Sequence, residues 1–233
     1  MRGKLTELWH RHVDRKPWIF RDRFGLAYLF TREDEVADHC ARNAVVDNPP
    51  LLAYLPQAVK PGQCFVDLSP ELGGVTLLVG QLLKSEGTVF AMTPDVKRYR
   101  QLVNNVALNQ LTGRVCVIGR AVLELPDTAV AITLDQFAAE WKWTAVDHLR
   151  LADVTLLDAL SQSATESFRA GRIHSLILDD VVKSALATAS ASLSKLGFKV
   201  QMLTADGKLQ PLVLATAPDK VTLIATHREA GHA

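Results

Sequence analysis

Cysteine is scarce in this sequence: three in 233 residues, at positions 40, 64 and 116, with no Cys-x-x-Cys spacing among them. An odd, scattered set argues against a disulfide framework and against a zinc site, so no metal is expected. Thiols used this sparingly behave as small buried hydrophobes in a reducing compartment. Also missing is any apolar run near the ~20 residues that a membrane helix needs. The first ten residues lack the apolar core of a signal peptide, and a cytoplasmic location is expected. Charge of one sign is lacking too: 26 Lys and Arg stand against 25 Asp and Glu, a formal net charge of +1. No global field would hold nucleic acid or an anionic membrane. Basic residues gather only near the start, at Arg11, Arg15, Lys16, Arg21 and Arg23, where Asp14 and Asp22 dilute them. The sequence carries no Ser-His-Asp pattern, no Gly-x-x-x-x-Gly-Lys phosphate loop, no dinucleotide fingerprint and no internal repeat.

What is present is apolar and alternating. Hydrophobic residues make up 48% of the chain, enough for a sizeable core. Residues 24–30 read as a strand, and Thr31 with Asp34 gives a helix-start signal. Asn48-Pro49-Pro50 forces a break, 51–59 can form a short helix, and Lys60-Pro61-Gly62-Gln63 is a turn. The runs 64–68, 88–92 and 114–118 read as buried parallel strands, with helical spacing over 75–84 and 95–108 between them. Further strands are expected at 146–151, 175–178, 199–203, 212–215 and 221–225, with helices over 159–168 and 183–196. Strands alternating with helices imply right-handed crossovers and a mostly parallel sheet covered on both faces. The last two strands lie close enough in sequence for an antiparallel edge. The expected organisation is an N-terminal extension, 1–48, packed on one α/β domain, 49–233.

Between 59 and 111 the chain reads Val-Lys-Pro-Gly-Gln-Cys-Phe-Val-Asp-Leu-Ser-Pro-Glu-Leu-Gly-Gly, then Gly-Thr-Val-Phe-Ala-Met-Thr-Pro-Asp, then Asn-Asn-Val-Ala-Leu-Asn-Gln-Leu. In order and spacing this resembles the FkbM family of class I S-adenosylmethionine (SAM) methyltransferases. In that family a Lys-Pro-Gly turn, a strand ending in Asp and a Gly-Ala-Asn-x-Gly loop lead to a second strand ending in Glu-Pro-Asp. The likeness continues more weakly through Ile132-Thr133-Leu134-Asp135, Leu149 to Val154 and Asp219 to Ala225. It implies a Rossmann-like fold, SAM as cofactor, and methyl transfer to a hydroxyl of a sugar or natural product. It assigns cofactor contacts to Asp67, Ser69, Gly73, Gly74, Thr93 and Asp95, and acceptor-side acids to Asp153 and Asp158.

The departures fall on those same positions. Ser69, Pro70 and Glu71 stand where the family has Gly, Ala and Asn, and Thr93 stands for the ribose-binding Glu. Replacing a charge-assisted bidentate acceptor by a hydroxyl forfeits roughly 1.5–3 kcal/mol. Thr155-Leu156 replaces Glu-Gly after the fourth strand, with an extra residue at Ala152. Plainer roles exist for each residue: Asp67 capping a turn, Gly73 and Gly74 allowing close helix–sheet packing, Thr93 closing the turn before Pro94, Asp153 solvated at a strand end. Asp179 and Asp180 would point to opposite faces of a strand. Two functions follow. The first is a methyltransferase-fold protein with an eroded SAM site, weak or lost catalysis and a protein partner. Its partner surface would lie on Trp9, Trp18, Phe20 and Phe24 or on Trp141-Lys142-Trp143. The second is an active SAM-dependent O-methyltransferase with an unusual pocket and a small-molecule or sugar acceptor.

Overall fold

The computed structural model describes residues 18–30, 46–120 and 132–228. The sequence elements assemble around an eight-stranded sheet. Strand β1 (Trp18–Arg21) and strand β2 (Ala27–Phe30) form a separate antiparallel hairpin, turned at Gly25 with φ 79°. Helix α1 (Pro49–Ala58) starts where two prolines lack N–H groups that a first turn would leave unpaired anyway, with Asn48 as its cap. Then follow β3 (Cys64–Asp67), α2 (Gly74–Leu82), β4 (Thr88–Met92), α3 (Val96–Leu108), β5 (Val115–Ile118), α4 (Leu134–Glu140), β6 (His148–Leu151), α5 (Leu157–Ser163), α6 (Thr165–Arg169), β7 (Ser175–Val182), α7 (Leu186–Lys195), β8 (Phe198–Leu203), β9 (Leu209–Pro211) and β10 (Lys220–His227).

The strand order is β5-β4-β3-β6-β7-β10-β8-β9. Strands β3 to β7 pair in parallel, β10 runs antiparallel between β7 and β8, and β9 closes the edge antiparallel to β8. The inner parallel strands β3, β4 and β6 are buried on both faces, which is why the sequence shows continuous apolar runs there, while the edge strand β5 is half-buried. Phe65, Val89 and Ile177 face a core shared with α1, α2, α3 and the hairpin. Val66, Phe90, Leu176 and Leu178 face the opposite core with α4, α5 and α7.

The hairpin docks through polar side chains. Asn109 on the exit of α3 accepts from Ala27 N at 2.8 Å and donates to Ala27 O at 2.6 Å. One turn earlier Asn105 accepts from Leu29 N at 2.7 Å and donates to Leu72 O at 2.9 Å, and Gln101 donates to Leu29 O at 3.1 Å. A helix thus supplies the pairing that a neighbouring strand would give to the β2 edge.

Several sequence expectations change. The segment 212–215 is not a strand: a turn at Gly207, with φ 77°, sets Leu209–Pro211 against β8, and Pro211 ends that pairing. The 159–168 helix divides into α5 and α6, because Asp135 on α4 accepts from the backbone N–H groups of Glu166 and Ser167 and starts a new helix there. Helix α4 was not expected, although Thr133 and Gln136 form a complete capping box at its start. Strand β1 holds Trp18 and Phe20, which the sequence marks only as a candidate partner surface. The helix start at Thr31 and Asp34, Cys40 and Trp9 lie outside the described residues.

Candidate functional site

Open parallel sheets bind ligands at the carboxyl ends of their strands, where the loops lie. At that end Arg150 of β6 sits opposite Asp67 of β3 in register, and opposite Ile177 of β7. Asp179, two residues beyond Ile177, therefore shares the same face. The result is a buried cluster around one guanidinium. Arg150 is 2% exposed, Asp67 0% and Asp179 3%. Arg150 Nη2 lies 3.1 Å from Asp179 and 3.1 Å from Asp47, and Nη1 lies 3.3 Å from Asp67. Nη1 also donates to Ser69 O at 2.7 Å.

The remaining oxygens are occupied. Thr76 Oγ1 on α2 donates to Asp67 Oδ2 at 2.7 Å, and Ser69 N donates to Asp67 Oδ1 at 3.1 Å. Thr222 of β10 and Asn48 both donate to Asp179 Oδ1, each at 2.7 Å. Asp47, with its side chain 14% exposed, accepts from Val75 N in the first turn of α2 at 3.3 Å. Burial pushes the Asp47 carboxyl up to about 6; Arg150 opposes that shift, while Asp179 and Asp67 add to it. Burial alone would lower the Arg150 pKa, yet the three carboxylates outweigh it and hold the group above its ordinary value. Gly74 makes the approach possible, since a Cβ there would meet Asp47 Cβ at 2.5 Å.

The cofactor positions implied by the resemblance fall within this cluster or in the loops after β3 and β4. Asp67 and Ser69 belong to it directly, and Ser69 Oγ also accepts from Ala152 N at 2.9 Å. Gly73 has φ 98° and packs so closely that a Cβ would meet Leu102 at 2.7 Å. Thr93 is buried at the end of β4, where its Oγ1 accepts from Asp95 N at 3.3 Å. Asp95 caps α3 by accepting from Arg98 N at 2.8 Å. Glu71 takes a left-handed φ of 44° and pairs with Arg98 at 3.6 Å. The acceptor-side acids stay apart from the cluster: Asp153 is exposed and accepts from Thr155 N and Oγ1, and Asp158 is exposed in the first turn of α5.

Sequence reasoning missed Asp47, Asn48, Arg150 and Thr222, and it weighed Asp179 only as a pair with Asp180. One signal was available. Arg150 interrupts an apolar strand, His-Leu-Arg-Leu, and a charge on a doubly covered strand requires buried partners. Asp180, at φ 50°, is exposed, and its backbone N–H donates to Asp179 Oδ1 at 3.0 Å.

A second feature lies beside β5. A cavity of about 360 Å³ is lined by Val117, Ile118, Gly119, Arg120, Phe137, Glu140 and Trp141. Trp141 stacks on Phe137 at a centroid distance of 5.6 Å and meets Phe90 edge-on at 5.0 Å. Arg120 and Glu140 pair across it at 3.3 Å. Among the described residues no group of three or more His, Cys, Asp or Glu could hold a metal ion, and no helix is long and apolar enough to cross a membrane.

No family model matches the chain, and no curated protein matches its sequence. Solved structures do resemble it. A SAM-dependent O-methyltransferase from Thermotoga maritima is 16% identical, with 96% of this chain and 81% of that one covered at a TM-score of 0.56. TYW2 from Pyrococcus horikoshii, solved in complex with MeSAdo, is 14% identical over 91% of this chain and 70% of that one, at a TM-score of 0.54. An rRNA methylase from Streptococcus thermophilus is 12% identical over 76% and 93%, at 0.50. The chain has the fold of class I SAM-dependent methyltransferases.

Proposed function

We propose that this chain is an FkbM-like methyltransferase-fold protein whose SAM site is eroded, with catalysis weak or lost and a protein partner as its working ligand. The observation that carries this reading is that polar groups at the ends of β3 and β4 are spent internally. Asp67 is held by Ser69 N, Thr76 and Arg150, Ser69 Oγ by Ala152 N, and Thr93 Oγ1 by Asp95 N. Thr93 offers no carboxylate for the two ribose hydroxyls of SAM. For the partner, the half-exposed Trp141 and the cleft beside it are the candidate contact, since tryptophan in a recess is a common hot spot.

Isothermal calorimetry with SAM and S-adenosylhomocysteine tests the reading. The unmodified chain is expected to give no heat of binding, and a Ser69→Gly, Thr93→Glu double variant to bind. Micromolar binding by the unmodified chain would sink it. That result would favour the second reading, an active O-methyltransferase acting on a hydroxyl of a sugar or natural product. Asp67 and Gly73 would then contact SAM, and Asp153 or Asp158 would face the acceptor. The fold shared with the T. maritima O-methyltransferase is what supports this alternative.

A further inference from the structure

The segment ahead of α1 reaches into the carboxyl edge of the sheet with two consecutive polar side chains. Asp47 meets Arg150 of β6 and the first turn of α2, and Asn48 donates to Asp179 of β7 at 2.7 Å and to Thr222 of β10 at 2.9 Å. Of the three acids on Arg150, Asp47 alone comes from outside the sheet, and it is the most exposed. Its carboxylate lies between a buried guanidinium and a helix N-terminal N–H, the pair of donors that suits a carboxylate. The Nε of that guanidinium is buried and has no hydrogen-bond partner among the described residues. The chain is also shaped to receive this side chain, because Gly74 leaves the space that Asp47 Cβ fills.

We propose that Asp47 is an intramolecular plug: its carboxylate fills a binding site for a small carboxylate, made by Arg150 Nη2 and Val75 N–H, and Asn48 fastens the segment that carries it. The site lies at the carboxyl ends of β3 and β6, beside residues that the methyltransferase-fold reading gives to SAM, whose methionine end bears a carboxylate, and in that respect the inference rests on that reading. With the plug in place Nη1 and Nη2 are both taken, and only the buried Nε is unpaired among the described residues. With the side chain removed, the donors remain and an external carboxylate can take them.

The test is chemical rescue of Asp47→Gly by sodium formate, with sodium chloride at equal ionic strength as control. Formate is expected to raise the thermal midpoint of the variant saturably, by about 2–4 °C over chloride, and to leave the unmodified chain unchanged relative to chloride. A folded variant that responds equally to formate and chloride overturns the proposal. Should Asp47→Gly fail to fold in both salts, Asp47→Asn decides by hydrogen exchange. Its amide cannot serve Arg150 and Val75 N–H as two acceptors, so faster exchange at Val75 and Leu51 is expected, and unchanged exchange at both overturns the plug. S-adenosylhomocysteine titrated into Asp47→Gly speaks to the cofactor reading alone. Formate rescue without nucleoside binding keeps the plug and removes SAM from the cleft.

Discussion

Arg150 concentrates more of this protein's electrostatics than any other described side chain. A guanidinium can serve Asp47, Asp67, Asp179 and Ser69 O at once because its donors are spread around a rigid plane. A lysine would offer a point charge that cannot reach all four. Arg150→Met leaves three buried carboxylates without their counter-ion, and breaking such a cluster costs about 3–5 kcal/mol. Arg150→Met is therefore expected to lower the urea midpoint strongly without changing the slope, whereas the exposed Arg169→Ala, which loses a surface pair with Glu166, should cost less than about 1 kcal/mol of unfolding free energy. Equal losses in the two variants would show that the cluster is not the main tie between the strands. The same reasoning explains why the site was only partly legible in the sequence. Asp67, Gly73 and Thr93 sit in contiguous motifs, while Asp47, Arg150, Asp179 and Thr222 come from four separate segments that only the sheet order brings together.

Elements were legible where local rules and burial agreed. Strand β4 has the expected limits, and α3 begins one residue after Asp95, its cap. Boundaries failed where a long-range contact decided them. Asp135 splits one helical run into α5 and α6 from 31 residues away, and no local periodicity reports that. The hairpin is another case: Tyr28 and Phe30 bury its apolar face, and amide side chains of α3 fix its register from a distant segment. Asn109→Ala removes both contacts to Ala27 and leaves its N–H and C=O without them. The expected outcome is faster exchange at the Ala27 amide and a loss of roughly 1–3 kcal/mol in stability, read by hydrogen exchange and urea unfolding. Exchange confined to its original rate would mean that apolar contacts alone hold the hairpin.

For the whole molecule, two buried groups titrate against each other in mildly acidic solution. Asp47 is raised from 3.8 to about 6 by burial, so the folded state holds a proton that the unfolded chain has lost, and stability falls as pH rises through that window. Its charged neighbours are Arg150 on β6, Asp67 on β3 and Asp179 on β7. His148 is lowered from 6.5 to about 4, chiefly by burial and further by His174, with Asp147 opposing. Its contribution has the opposite sign: it is present above 6.5 and is lost as pH falls toward 4. The unmodified chain is thus expected to show a shallow profile between pH 4 and 6.5. Asp47→Asn removes the falling limb and should rise with pH by up to ~1.4 kcal/mol per unit, measured by urea unfolding at stepped pH. A variant profile as shallow as the parent's would remove Asp47 from this balance.

The amide ladder between α3 and β2 also works as a vernier. A helix advances about 6.0 Å in four residues, and a strand about 6.6–6.8 Å in two. Asn109 and Asn105 can therefore meet Ala27 and Leu29 nearly in step, and Gln101 adds a third amide on Leu29 O. The mismatch grows by about 0.6–0.8 Å per rung, so a splice of this kind runs out of tolerance within a few rungs. The short hairpin strand has the length that such a gauge can read, and a slip of one residue would put every amide between two marks.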